Sequence, residues 1–177
     1  MRVSKILTLF ALTWLMFLTA HAAISAQHAH VHGVARLQVA IDGEHLTLEF
    51  TSPLDNLVGF ERAPRTDKER SALKNTMARL QQPEALFIPS PEARCARTAV
   101  QIDMPFDAKP AAKAQQSEHA ALTAQVVFKC ERAQNLKGLS VAIFEAFPGL
   151  KRIEAQVAGA KKQVAARLTA RDRQLAW

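Results

Sequence analysis

The clearest patterning in the chain lies between Arg36 and Phe50. Leu37, Val39 and Ile41 alternate with Arg36, Gln38 and Ala40, and Leu46, Leu48 and Phe50 alternate with His45, Thr47 and Glu49. A period of two marks a half-buried strand. Asp42-Gly43 between the runs is a two-residue turn signal that favours positive φ. A hairpin closing on Asp42-Gly43 follows, with Val39 opposite Leu46, Leu37 opposite Leu48 and Arg36 facing Glu49.

The periodicity then changes. Ser52-Pro53 ends the second run, and Asp55 to Arg65 reads as an irregular connection. Thr66 and Glu69 form a capping box, Asp67 adds negative charge to the first turn, and Leu73, Met77 and Leu80 make an apolar stripe, so a helix is predicted up to Pro83. Ala93 to Asp103 and Ala120 to Cys130 read as strands, the latter with Leu122, Val126 and Phe128 on one face. Between them, residues 104–117 hold Pro105, Pro110, several alanines and two glutamines, which predicts a flexible surface loop. Leu136, Leu139, Ile143 and Phe147 fall at helical spacing, with a strand through Val141 and Ile143 as the alternative. Ile153 to Val157 and Val164 to Leu168 alternate as strands around Gly159-Ala160, and Arg171 to Trp177 adds a last short strand. The sum is an α+β fold: an antiparallel β-sheet, sandwich-like core with about two helices.

The N-terminus changes the picture from fold to address. Arg2 and Lys5 precede an apolar run from Ile6 to Leu18, and Ala20-His21-Ala22 fits a small-x-small cleavage pattern. Residues 1–22 are expected to be a cleavable signal peptide, cut after Ala22 or as late as Ala26. The run is short for a transmembrane helix and no second one follows, so no stable membrane span is expected after cleavage. About 150 residues remain, enough for a single domain over 27–177 with its own core. The formal charge of +7 is scattered rather than clustered, which describes a solvated surface, and export removes nucleic acid from the partners. Cys95 and Cys130 are the two cysteines. In an exported chain an even pair reads as a disulfide, here worth about 4 kcal/mol in the chain-entropy model. The alternative, a pair of soft metal ligands, lacks the CxxC spacing that zinc sites use.

The candidate chemistry lies in His28-Ala29-His30-Val31-His32-Gly33. Alternation along a strand puts the three imidazoles on one side, and neutral imidazole is the commonest protein metal ligand. Their parity with Arg36 and Gln38 places them on the polar face. His28 and His32 would stand roughly 13 Å apart along a straight strand, too far to share an ion, so the segment curls or other ligands join it. His45 would lie roughly 26 Å from His32 and is read as a surface residue. Glu61 and Glu118 are candidate carboxylate ligands, or partners that hold an imidazole tautomer. Binding should weaken below about pH 6, where imidazole protonates. No GxSxG, HExxH, P-loop or GxGxxG occurs, there is no tyrosine, and nothing in the chain argues for an enzyme. Zinc is the first choice of ion. A cut after Ser25 would instead leave Ala26-Gln27-His28 at the terminus, an arrangement suited to square-planar copper or nickel. A binding or assembly module of the cell envelope with no metal is the third reading.

The histidine strand, Ser52-Pro53, Val58-Gly59-Phe60-Glu61, the Cys95/Cys130 pair, His119 before its strand, and Phe144-Glu145-Ala146-Phe147-Pro148 occur in one order. Together they resemble the ZrgA-like family of periplasmic zinc-binding accessory proteins, over nearly all of the chain after the leader. The resemblance implies a periplasmic protein that scavenges zinc and assists an ABC-type zinc importer. It implies His28, His30, His32 and His119 as metal ligands. Two departures stand out. The variable loop carries Ala108-Lys109-Pro110-Ala111-Ala112-Lys113 where relatives are rich in histidine and aspartate, and Arg62 stands where they often have histidine.

Overall fold

The computed structural model describes residues 32–106, 120–159 and 162–177. The expected leader over 1–22, His28, His30, Glu118, His119 and most of the expected loop lie outside them. The elements in chain order are β1 (Val34–Asp42), β2 (His45–Pro53), α1 (Asp55–Val58), α2 (Asp67–Leu80), β3 (Phe87–Pro89), β4 (Cys95–Asp103), β5 (Ala121–Cys130), β6 (Gly138–Val141), α3 (Ile143–Ala146), β7 (Arg152–Gly159), β8 (Gln163–Leu168) and β9 (Gln174–Ala176).

Alternation does what it predicts in the large sheet. Leu37, Val39, Leu46, Leu48 and Phe50 are buried, and Arg36, Gln38 and Ala40 face solvent. Six strands run in the order β4-β5-β2-β1-β7-β8, and a small sheet runs β3-β6-β9. The inner face of the large sheet joins one hydrophobic core with residues of the small sheet and of α3, with the Phe50 and Phe87 rings 5.9 Å apart. This is the sandwich-like α+β arrangement, with three α-helices among the described residues, of which only α2 is long. All neighbouring strands are antiparallel except β1 and β7, which pair in parallel from Val34↔Arg152 to Ile41↔Gly159. Among the described residues no helix is long and apolar enough to cross a membrane.

The hairpin register differs from the expected one by two residues. Val39 faces Leu48, Leu37 faces Phe50, and Asp42 faces His45, so the turn is Gly43-Glu44. Gly43 has φ +56 and Glu44 does not have positive φ, which puts glycine first, as type II′ turns require. A shift of two leaves every side chain on its own face, so the inward set is unchanged. Arg36 therefore faces Thr51 rather than Glu49.

Three further expectations are corrected. The segment from Leu136 to Phe147 is not one helix. Leu139 and Val141 point inward from β6, and only Ile143–Ala146 is helical. Pairing with β3 and β9 claims this segment, and β9 comes so close that a Cβ on Gly138 would stand 2.7 Å from the Leu175 carbonyl. The connection after β2 begins with a helical turn, α1, which ends at Gly59 with φ +84. Met104, placed by the sequence in a surface loop, is 3 % exposed and part of the core.

Helix α2 forms as its sequence requires. Thr66 Oγ1 accepts from the Glu69 N–H, and the Glu69 carboxylate accepts from the Thr66 N–H. Leu80 is buried, whereas Leu73 and Met77 are only half-buried. Cys95 and Cys130 lie directly opposite each other in β4 and β5 and form a disulfide.

Candidate metal centre

The start of β1 and the end of β2 lie side by side at one end of the large sheet, and the candidate site is built there. His32 and Gly33 form a turn immediately before β1. Gly33 takes φ +79, a left-handed conformation that glycine adopts without strain. This turn breaks the alternation of β1, so the parity that would place His32 on the polar face does not reach it. His32 instead projects to the corner between β2 and α1.

At that corner His32 Nδ1 hydrogen-bonds to the Asp55 carboxylate. Asp55 is the first residue of α1. Glu61, which follows the Gly59 turn, completes the cluster. One donor atom from each of His32, Asp55 and Glu61 lies within 4.8 Å of the others. Ligands about 2.0–2.1 Å from zinc stand roughly 3.3 Å from one another at tetrahedral angles, so the three donors lie close to the spacing that one ion requires. The His32 side chain is 73 % exposed and Asp55 is 25 % exposed, so the site opens to solvent on the imidazole side. The hydrogen bond to Asp55, then the charge of Asp55, and last the charge of Glu61, raise the pKa of His32 above the usual imidazole value. Two carboxylates that favour a proton on the neighbouring imidazole supply negative charge of the kind a divalent cation also requires.

The next turn is held away from the site. Arg62 donates from both terminal nitrogens to Glu69, at 3.0 and 2.7 Å. Glu69 also accepts from the backbone of Arg65 at 2.6 Å and of Thr66 at 3.2 Å. These bonds press Glu69 down to about 2 and tie the loop after Glu61 to the start of α2. Arg62 thus anchors the loop and offers no lone pair to a metal.

His32 and Glu61, both legible in the sequence, are brought together. Asp55 was missed because its segment reads as an irregular connection, and its one signal is an acid placed just after the Ser52-Pro53 strand end. His45 lies opposite Asp42 at the far end of the hairpin and does not join the site. His28 and His30 precede His32 in the chain. Ala120, the residue after His119, offers its carbonyl to the Leu54 N–H at 2.8 Å, one residue from Asp55.

A model described as ZrgA family zinc uptake protein matches residues 29–177 of the chain. No curated protein matches it significantly.

Proposed function

The chain belongs to the ZrgA family of zinc uptake proteins, and from that premise we propose that it binds zinc in the periplasm and assists the ion's uptake by an ABC-type importer. The convergence of His32, Asp55 and Glu61 from three separate segments is the observation that carries this reading. These three are the fixed donors. Zinc replaces the proton shared between His32 Nδ1 and Asp55, and carboxylate and imidazole ligands both suit it. Three protein donors leave a fourth position open in a tetrahedral shell. His28, His30 and His119 are the proposed sources of that ligand, because the described chain resumes beside the site at both His32 and Ala120. An exposed, incomplete shell suits an ion that is carried and passed on rather than one locked in for stability. The Cys95–Cys130 bridge agrees with an oxidising compartment, and the role proposed is binding, without catalysis.

Titration of zinc into protein purified without an affinity tag tests the reading. His32→Ala and Glu61→Gln should each weaken binding by about 10- to 100-fold. Affinity equal to the parent in both variants overturns the assignment of the site.

A further inference from the structure

A buried carboxamide lies directly behind the proposed zinc site. Asn56 follows Asp55 in α1 and is 3 % exposed. Its Oδ1 accepts from the Gly33 N–H at 2.6 Å, and its Nδ2 donates to the Val34 carbonyl at 3.1 Å and to Ser52 Oγ at 3.1 Å. One planar group therefore grips the backbone at both residues that follow His32. Only a carboxamide supplies an acceptor and two donors in that plane. A carboxylate would turn a lone pair toward the Val34 carbonyl, and an aliphatic side chain would leave the Gly33 N–H buried without a partner.

The joint is backed on its other sides. The Gly33 carbonyl accepts from Lys151 N at 2.8 Å and Arg152 N at 2.9 Å. Gly149 packs so closely that a Cβ there would stand 2.5 Å from the Asn56 carbonyl. His32 is largely exposed and makes its one described side-chain bond to Asp55. Its place is therefore set by the backbone that Asn56 holds, and Asp55 and Asn56 are consecutive on the same short helix. The group that positions the imidazole and the group that meets it move as one piece.

We propose that Asn56 is the positioning residue of the metal site: it fixes the His32-Gly33 turn against α1 so that the imidazole and the two carboxylates are already gathered within 4.8 Å of one another before any ion arrives. This rests on the zinc reading above. Preorganisation of this kind acts on affinity and on ligand geometry, because an unfixed ligand must be ordered at the moment of binding.

The test uses the full chain after the leader, titrated with zinc and, separately, with cobalt(II), whose absorption bands report the ligand geometry. Asn56→Ala should lower zinc affinity about 10-fold and change the cobalt spectrum at a temperature where the variant is fully folded. Should Asn56→Ala not fold, the milder Asn56→Ser is measured in its place. Leu175→Ala, in the small sheet and away from the site, controls for stability alone: its melting temperature should fall while zinc affinity and cobalt spectrum stay at parent values. Parent affinity and spectrum in the Asn56 variant overturn the proposal, provided His32→Ala still weakens zinc. If His32→Ala also leaves zinc binding unchanged, the site itself is wrong and the positioning role falls with it.

Discussion

In the proposed zinc site Asp55 acts on His32 in two opposed ways once a cation arrives. It helps assemble the donor set, and it also stabilises the proton that the cation must displace. Because the folded-state pKa of His32 is raised, this contact contributes stability that is fully present below the ordinary imidazole value. The contribution is lost as pH rises through the raised one. Removing the carboxylate's charge should bring the imidazole back. In zinc-free Asp55→Asn the His32 ring, followed by NMR titration, should show its midpoint lowered toward about 6.5. A midpoint unchanged from the parent would mean that the contact does not form in solution. At this scale His32 and Glu61 were legible as candidate ligands because residue type alone suggests the chemistry, and the structure brings them together. Asp55 was not legible, because its role depends on a turn at Gly33 that ends strand parity one residue too early for the histidines.

Among the elements, α2 was read correctly because its signals are local. The box formed by Thr66 and Glu69 needs only four consecutive residues. The same carboxylate also binds Arg62 and the Arg65 backbone, and it titrates at about 2. A lowered folded-state pKa contributes stability above the ordinary carboxylate value and loses it as pH falls toward about 2. Glu69→Gln should therefore lower the melting temperature at pH 7, and the gap from the parent should narrow between about pH 4.5 and pH 2. A gap constant with pH would show that the charge is not what holds the loop. Elsewhere local signals divided. Leu136, Leu139, Ile143 and Phe147 satisfy helical spacing, yet Leu139, Val141 and Ile143 also satisfy alternation. The choice between them is made by the close approach of β9 to Gly138, a contact between distant parts of the chain. The hairpin register slipped for a related reason: Asp42-Gly43 and Gly43-Glu44 are both workable turns, and the two registers bury the same residues.

Across the whole molecule, the stabilising bridge and the proposed site sit at opposite ends of the same strands. Cys95 begins β4 and Cys130 ends β5, whereas the β5 start at Ala121 pairs with Pro53 beside α1. Replacing both cysteines by alanine should cost about 4 kcal/mol, read from denaturant unfolding. Zinc affinity should stay within about twofold of the parent under folding conditions, since distant changes act nearly independently. A large loss of affinity would show that the two ends are coupled. The cysteine pairing was legible from the count of two and the expectation of export. The order of the strands was not, because the parallel β1–β7 pair joins segments separated by most of the domain and leaves no local mark.

That parallel pair has a consequence for the order in which the protein can form. Strand β1 emerges early from the ribosome, yet one of its two neighbours, and both amides that donate to the Gly33 carbonyl, come from residues 151 onward. Contacts of such long sequence separation close slowly, because loop entropy must be met before they reward the chain. The corner that carries the proposed site is thus among the last parts to be finished, and a chain whose C-terminal strands are still missing lacks the backing of the His32-Gly33 turn.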